Sequence, residues 1–78
     1  MIEKKINRLF KLHNMFYEFS INENKVEINV IDGDWKHDHI RLKSLMKQDG
    51  FIYIDTYNVI ESGGDWYSAT HLFMLLSI

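Results

Sequence analysis

Apolar side chains along this chain recur first at helical spacing and then at every second position, and the switch happens twice. Ile2, Ile6, Leu9 and Phe10, followed by His13, lie three or four residues apart, with Lys4, Lys5, Arg8 and Lys11 on the remaining surface. That period predicts a helix over residues 2–14. A strand starting near Ile6 is the competing pattern, because Ile6, Phe10 and Leu12 share one parity. Residues 15–21 then alternate, with Tyr17, Phe19 and Ile21 on one face and Glu18 and Ser20 on the other. After the polar turn Asn22–Lys25 the alternation resumes at Val26, Ile28 and Val30. Two such runs around a short polar turn predict a β-hairpin.

Asp32-Gly33-Asp34 reads as a loop leading into a second helix, with Asp34 as the N-cap whose carboxylate accepts hydrogen bonds from the free first-turn amides. Trp35, His39, Leu42, Leu45, Met46 and Asp49 recur at steps of three or four, Lys36, Lys43 and Lys47 lie opposite, and Gly50 suits the left-handed stop. The helix is expected over residues 35–48. Phe51–Ser62 and Trp66–Leu76, joined by Gly63-Gly64, form a second hairpin. The order α-β-β-α-β-β implies an α+β fold, a four-stranded antiparallel sheet with both helices on one face, in a single domain spanning residues 1–78. The last strand is apolar on both sides, Leu72, Met74 and Leu76 on one and Phe73 and Leu75 on the other. Its second face calls for a cover, either the N-terminal helix or a second subunit.

Size sharpens that choice. A chain of 78 residues buries only roughly 60% of the surface its unfolded form exposes, and domains below ~80 residues commonly add disulfides, a metal or a partner subunit. Cysteine is absent, which removes disulfides and thiolate ligands and fits a reducing, cytoplasmic setting. A homo-oligomer, a dimer in the simplest case, is therefore expected. The basic N-terminal stretch has no apolar run behind it, so it does not read as a signal peptide. The longest apolar run, Leu72–Leu76, is far too short to span a bilayer.

Net charge is only −2, yet all nine lysines and arginines fall within residues 4–47, and the rest of the chain to its end carries Asp49, Asp55, Glu61 and Asp65 alone. The two predicted helices hold +3 each and everything else −8. Two basic helices on one face make a modest positive patch, the basis of a nucleic-acid-binding alternative, although solvated helix faces usually carry lysine and strong duplex binders are far more basic overall.

Two clusters could carry chemistry. Asp32–His39 packs three aspartates, two histidines, a lysine and a tryptophan into eight residues. His37 and His39 could chelate a metal if the backbone there were extended, but on a helix a spacing of two turns them apart, where metal pairs want four. The plain reading is that Asp34 caps the helix, Asp38 favours its positive end, and His39 packs beside Trp35 and Leu42. The second cluster, Gly63–His71, joins a turn, a carboxylate, two large aromatics, hydroxyls and a histidine. Its plain reading is an aromatic hairpin end with cross-strand pairs such as Tyr57 with Tyr67. If helix start and hairpin converge, Trp35, Lys36, His37, Asp65, Trp66, Tyr67 and His71 line one recognition surface. There aromatics stack, Lys36 meets an anion, and the histidines and Asp65 supply hydrogen bonds. Catalysis fits poorly. Ser68, His71 and Asp65 are the right types for a triad, but no strained elbow or oxyanion motif accompanies them, and on a strand Ser68 and His71 face opposite sides. No cofactor is implied.

The strings at Asp34–His39 (DWKHDH) and Gly63–His71 (GGDWYSATH) resemble a group of short proteins from phages and mobile elements of Gram-positive bacteria. These pair such a helix start with a later hairpin carrying Gly, Asp, Tyr-Ser and His. The group has no assigned chemistry, so the resemblance carries over no catalytic residue and leaves the N-terminal part untouched. What it implies is action by binding. A phage-type inhibitor would engage a host defence protein or sequester a small anionic ligand such as a signalling nucleotide, in the cytoplasm of the bacterial host.

Overall fold

The computed structural model describes residues 1–34, 37–61, 63, 64 and 66–76 (for Asp32 and Asp34, the backbone alone). Its elements follow the expected order: α1 (Ile2–Leu12), β1 (Glu18–Asn22), β2 (Lys25–Asp34), α2 (Asp38–Gln48), β3 (Phe51–Glu61) and β4 (Trp66–Leu75). The strands form one antiparallel sheet in the order β1-β2-β4-β3. Residues 2–12 are helical, so the competing strand from Ile6 falls away. No helix among the described residues is long and apolar enough to cross a membrane.

Parity places the core. Val26, Ile28 and Val30 on β2 face the same side as Tyr67, Ala69, His71 and Phe73 on β4, through the pairs Val26–Phe73, Ile28–His71 and Val30–Ala69. On this inner face they meet Ile6, Leu9 and Phe10 of α1 and Leu42, Leu45 and Met46 of α2, so both helices cover one side of the sheet. Because β4 sits between β2 and β3, the connection through α2 must cross over β4, which sets the start of α2 above His71. The N-terminal helix is thus committed to the inner face and does not cover Leu72 and Met74. On that outer side Tyr57 reaches across β4 to donate its hydroxyl to the Glu27 carboxylate, and Thr70 donates to Asn29 Oδ1 at 2.7 Å.

Three expectations need correcting, and each has a cause in the backbone. Asp32-Gly33-Asp34 is strand, not loop. A bulge after Val30 inserts one residue, and β2 then resumes its pairing as Gly33–Tyr67 and Asp34–Trp66. Asp34 is therefore a strand residue and not at the N-cap position of the helix. α2 begins at Asp38 with His37 in the cap position and no side-chain capping bond. Tyr57 does not pair with Tyr67 either. Two bulges in β3, after Tyr53 and after Tyr57, move the register so that Tyr57 faces Thr70 and Tyr67 faces Glu61.

Gly33 makes the first of these irregularities possible. A Cβ there would overlap Val30 Cγ1 and stand 3.3 Å from Tyr67 Cε1 and 3.5 Å from Asp38 Oδ2. Gly50, by contrast, is needed for its φ of 90°, as the left-handed residue that stops α2.

α1 ends by a related device. Asn14 takes φ 58°, its amide donates to Lys11 O, and the Met15 amide donates to Phe10 O at 2.8 Å. This pattern of bonds back across the last turn is a Schellman closure. It drives Met15 into the core and, one residue on, turns Phe16 outward.

Candidate functional site

The pair Asp34–Trp66 sets the end of β2, just before α2, beside the start of the closing strand. Of the seven residues expected to share a surface there, Trp35, Lys36 and Asp65 lie outside the described residues. His37 and Trp66 are exposed. Tyr67 and His71 turn the other way, each with 1% of its surface exposed, so a ligand on the surface meets neither ring. Their burial was legible in the sequence: both share parity with Ala69 and Phe73, the core side of β4.

Beneath α2 these two side chains build an interior polar network. His71 Nδ1 lies 2.8 Å from Thr56 Oγ1 and Nε2 lies 2.9 Å from the Tyr67 hydroxyl, while the Tyr53 hydroxyl bonds Thr56 Oγ1 at 2.5 Å. A neutral imidazole has one donor and one acceptor, and two hydroxyls satisfy both. The His39 ring stands 5.0 Å from that of His71, and Lys43 Nζ sits 3.8 Å above the Tyr53 ring. Burial, then His39 and Lys43, push the His71 pKa down to about 4; burial, then Lys43, also lower that of His39. Burial, then Tyr17 and Asp38, raise the Tyr67 phenol well above its usual value. At neutral pH the network holds neutral rings and intact hydroxyls, with His71 and Tyr67 buried and Tyr53 reaching the surface.

For a metal, His37 stands exposed at the cap of α2 while His39 turns inward, edge-on to Tyr53 and Tyr67 with ring centroids 6.4 and 6.3 Å away. Among the described residues no group of three or more His, Cys, Asp or Glu side chains could hold an ion.

The more accessible feature lies where residues 13–17, the far half of β2 and the first turns of α2 meet. A cleft of about 380 Å³ opens there between Phe16, Tyr17, Glu18, Ile31, Asp38 and Arg41. Arg41 ties α2 to the end of α1 by donating from Nη2 to the His13 carbonyl at 2.7 Å. It also borders a second depression containing His37, Ile40 and Leu45. Around these hollows Phe16 is 87% exposed, Ile31 68% and Ile40 63%. The Tyr17 phenol is raised by burial and by the Asp38 carboxylate, with Arg41 opposing. Alternation over residues 15–21 assigns Phe16 no special place, because it treats the stretch as one strand. The signal was Phe16 itself, an aromatic of opposite parity to Tyr17 and Phe19.

Fold and surface together define a two-layer α+β domain with an open apolar end and a histidine network beneath α2. No protein-family model matches this chain, and no curated protein or solved structure is significantly similar to it.

Proposed function

We propose that this chain is a non-enzymatic binding protein whose partner is another protein, docked on the Phe16 end. The observation that carries the reading is the exposure of Phe16 beside Ile31 and Ile40, around clefts bordered by Arg41. Large apolar side chains exposed around clefts on a folded surface mark interaction sites, and an aromatic set among aliphatic side chains is the usual anchor. Of the two ligand classes that the phage-protein resemblance implies, a host protein fits better than a nucleotide. The cleft carries Glu18 and Asp38 against Arg41, so a phosphate would meet two carboxylates. In this reading the protein acts as an inhibitor in the host cytoplasm, and its copies pair through the outer sheet face around Leu72 and Met74.

The test is native mass spectrometry of the chain purified from its host, alongside Phe16→Asp. A stoichiometric protein complex is expected for the wild type, and the free chain with an unchanged circular dichroism spectrum for the variant. A wild type that emerges without a partner, or a variant that keeps it, overturns the reading. An intact nucleotide carried by the wild type instead would restore the sequestration alternative.

A nucleic-acid-binding module is the second reading, favoured by the charge of the helix layer. α1 holds Lys4, Lys5, Arg8 and Lys11 against Glu3, and α2 holds Arg41, Lys43 and Lys47 against Asp38, net +3 and +2. Duplex binding that weakens steeply with salt would establish it.

A further inference from the structure

We infer that the segment of the partner seated on this end is acidic and carries one bulky apolar anchor, and that α1 is the surface that reads its charge. This rests on the protein-binding reading above and names the chemistry of the partner. Ile6, Leu9 and Phe10 commit one side of α1 to the core. On the solvent side Lys4, Arg8 and Lys11 are all exposed. Their spacing of four and then three residues aligns them in one row, about 10 Å long at the helical rise. Glu3 is the single acid of the helix.

The row runs straight into apolar ground. At its end Leu12 is 74% exposed, and Asn7 and Lys11 form one wall of a groove of about 410 Å³ whose other lining includes Phe10, Met15, Phe16 and Phe19. Phe16 therefore stands between this groove and the cleft beside Arg41. A partner side chain that enters the groove has Lys11 at its flank and Arg8 and Lys4 leading away along the helix. Carboxylates on about two turns of a partner helix, or on a short extended stretch, match that row.

The same row facing a nucleic acid is less complementary. With net −2 overall and +5 in the helices, the remainder of the chain carries −7, which repels a long polyanion. A phosphate backbone also brings nothing apolar for the groove.

The experiment is selection of displayed random peptides of about twelve residues on the full chain. The best peptide is then titrated calorimetrically against the wild type, the triple variant Lys4→Glu/Arg8→Glu/Lys11→Glu, and Phe16→Asp. The selected peptides are expected to be net negative with at least one large apolar residue. Affinity should fall at least about tenfold in the triple variant, and by a similar factor when NaCl rises from about 50 to about 500 mM. Failure to select any peptide, selection of neutral or basic ones, or undiminished binding by a folded triple variant overturns the inference. So does duplex DNA that binds the row more tightly than the peptide does. If Phe16→Asp abolishes binding while the triple variant keeps it, the docking end stands and the acidic partner falls. If the triple variant loses binding while Phe16→Asp keeps it, the docking end falls instead.

Discussion

Acid should unfold this protein through one residue more than any other. His71 is almost wholly buried, both its nitrogens face hydroxyls, and its pKa is pushed down to about 4 from an unfolded value of 6.5. The unfolded chain therefore binds a proton that the folded chain refuses between those two values. Stability that is complete above pH 6.5 drains away as pH falls through 6.5 towards 4. A shift of that size is worth about 3 kcal/mol, at roughly 1.4 kcal/mol per pH unit. Domains of this size hold on the order of 5 kcal/mol in total, so one imidazole consumes most of the margin. His39, lowered by burial and by Lys43, acts in the same direction. The assay is urea denaturation followed by circular dichroism from pH 7.5 to 4, on the wild type and on His71→Gln. Glutamine can still donate and accept hydrogen bonds but does not titrate. Subtracting the two curves cancels the carboxylates common to both and leaves the His71 contribution. Equal slopes for the two proteins between pH 6.5 and 4.5, or an imidazole signal titrating near 6 in the folded state, would refute the reasoning.

Three further outcomes are expected. Gly33→Ala should cost about 1–3 kcal/mol, because its methyl group meets Val30 and Tyr67 rather than open space; a melting temperature equal to that of the wild type contradicts this. Tyr57→Phe should cost about 1 kcal/mol at neutral pH by removing the hydroxyl that donates to Glu27, and adding Glu27→Gln should cost little more; additive losses in thermal melts would show that the two do not act as a pair. Phe16→Asp should change stability by less than about 0.5 kcal/mol, since the ring is almost entirely exposed; a large loss would mean that the side chain is part of the core.

The fold was legible wherever local patterning and tertiary pairing agree. Parity at Val26, Ile28 and Val30 and helical spacing from Leu42 to Met46 both point to the core they join. Legibility failed at each inserted residue. A bulge reverses parity without any change in composition, so neither the continuation of β2 through Gly33 nor the placement of Tyr57 opposite Thr70 can be read from alternation alone. The expected site divided for the same reason. Tyr67 and His71 look like surface chemistry as a string, GGDWYSATH, but they alternate with Ser68 and Thr70 and so belong to the interior. Phe16 was missed because the left-handed Asn14 that turns it outward depends on bonds back into α1.

The two bulges of β3 have a consequence for the molecule in concentrated solution. As the outermost strand on its side of the sheet, β3 offers eleven residues to any passing chain, with Ile54, Val59 and Ile60 exposed along it. Its ladder, however, is broken into stretches of three, three and two regularly spaced positions. An incoming strand that matches the first stretch is out of step by the second, so growth of a continuous sheet stalls within one chain length. The opposite margin, β1, is only five residues long. The protein can thus keep sticky side chains along this rim without seeding fibrils from them.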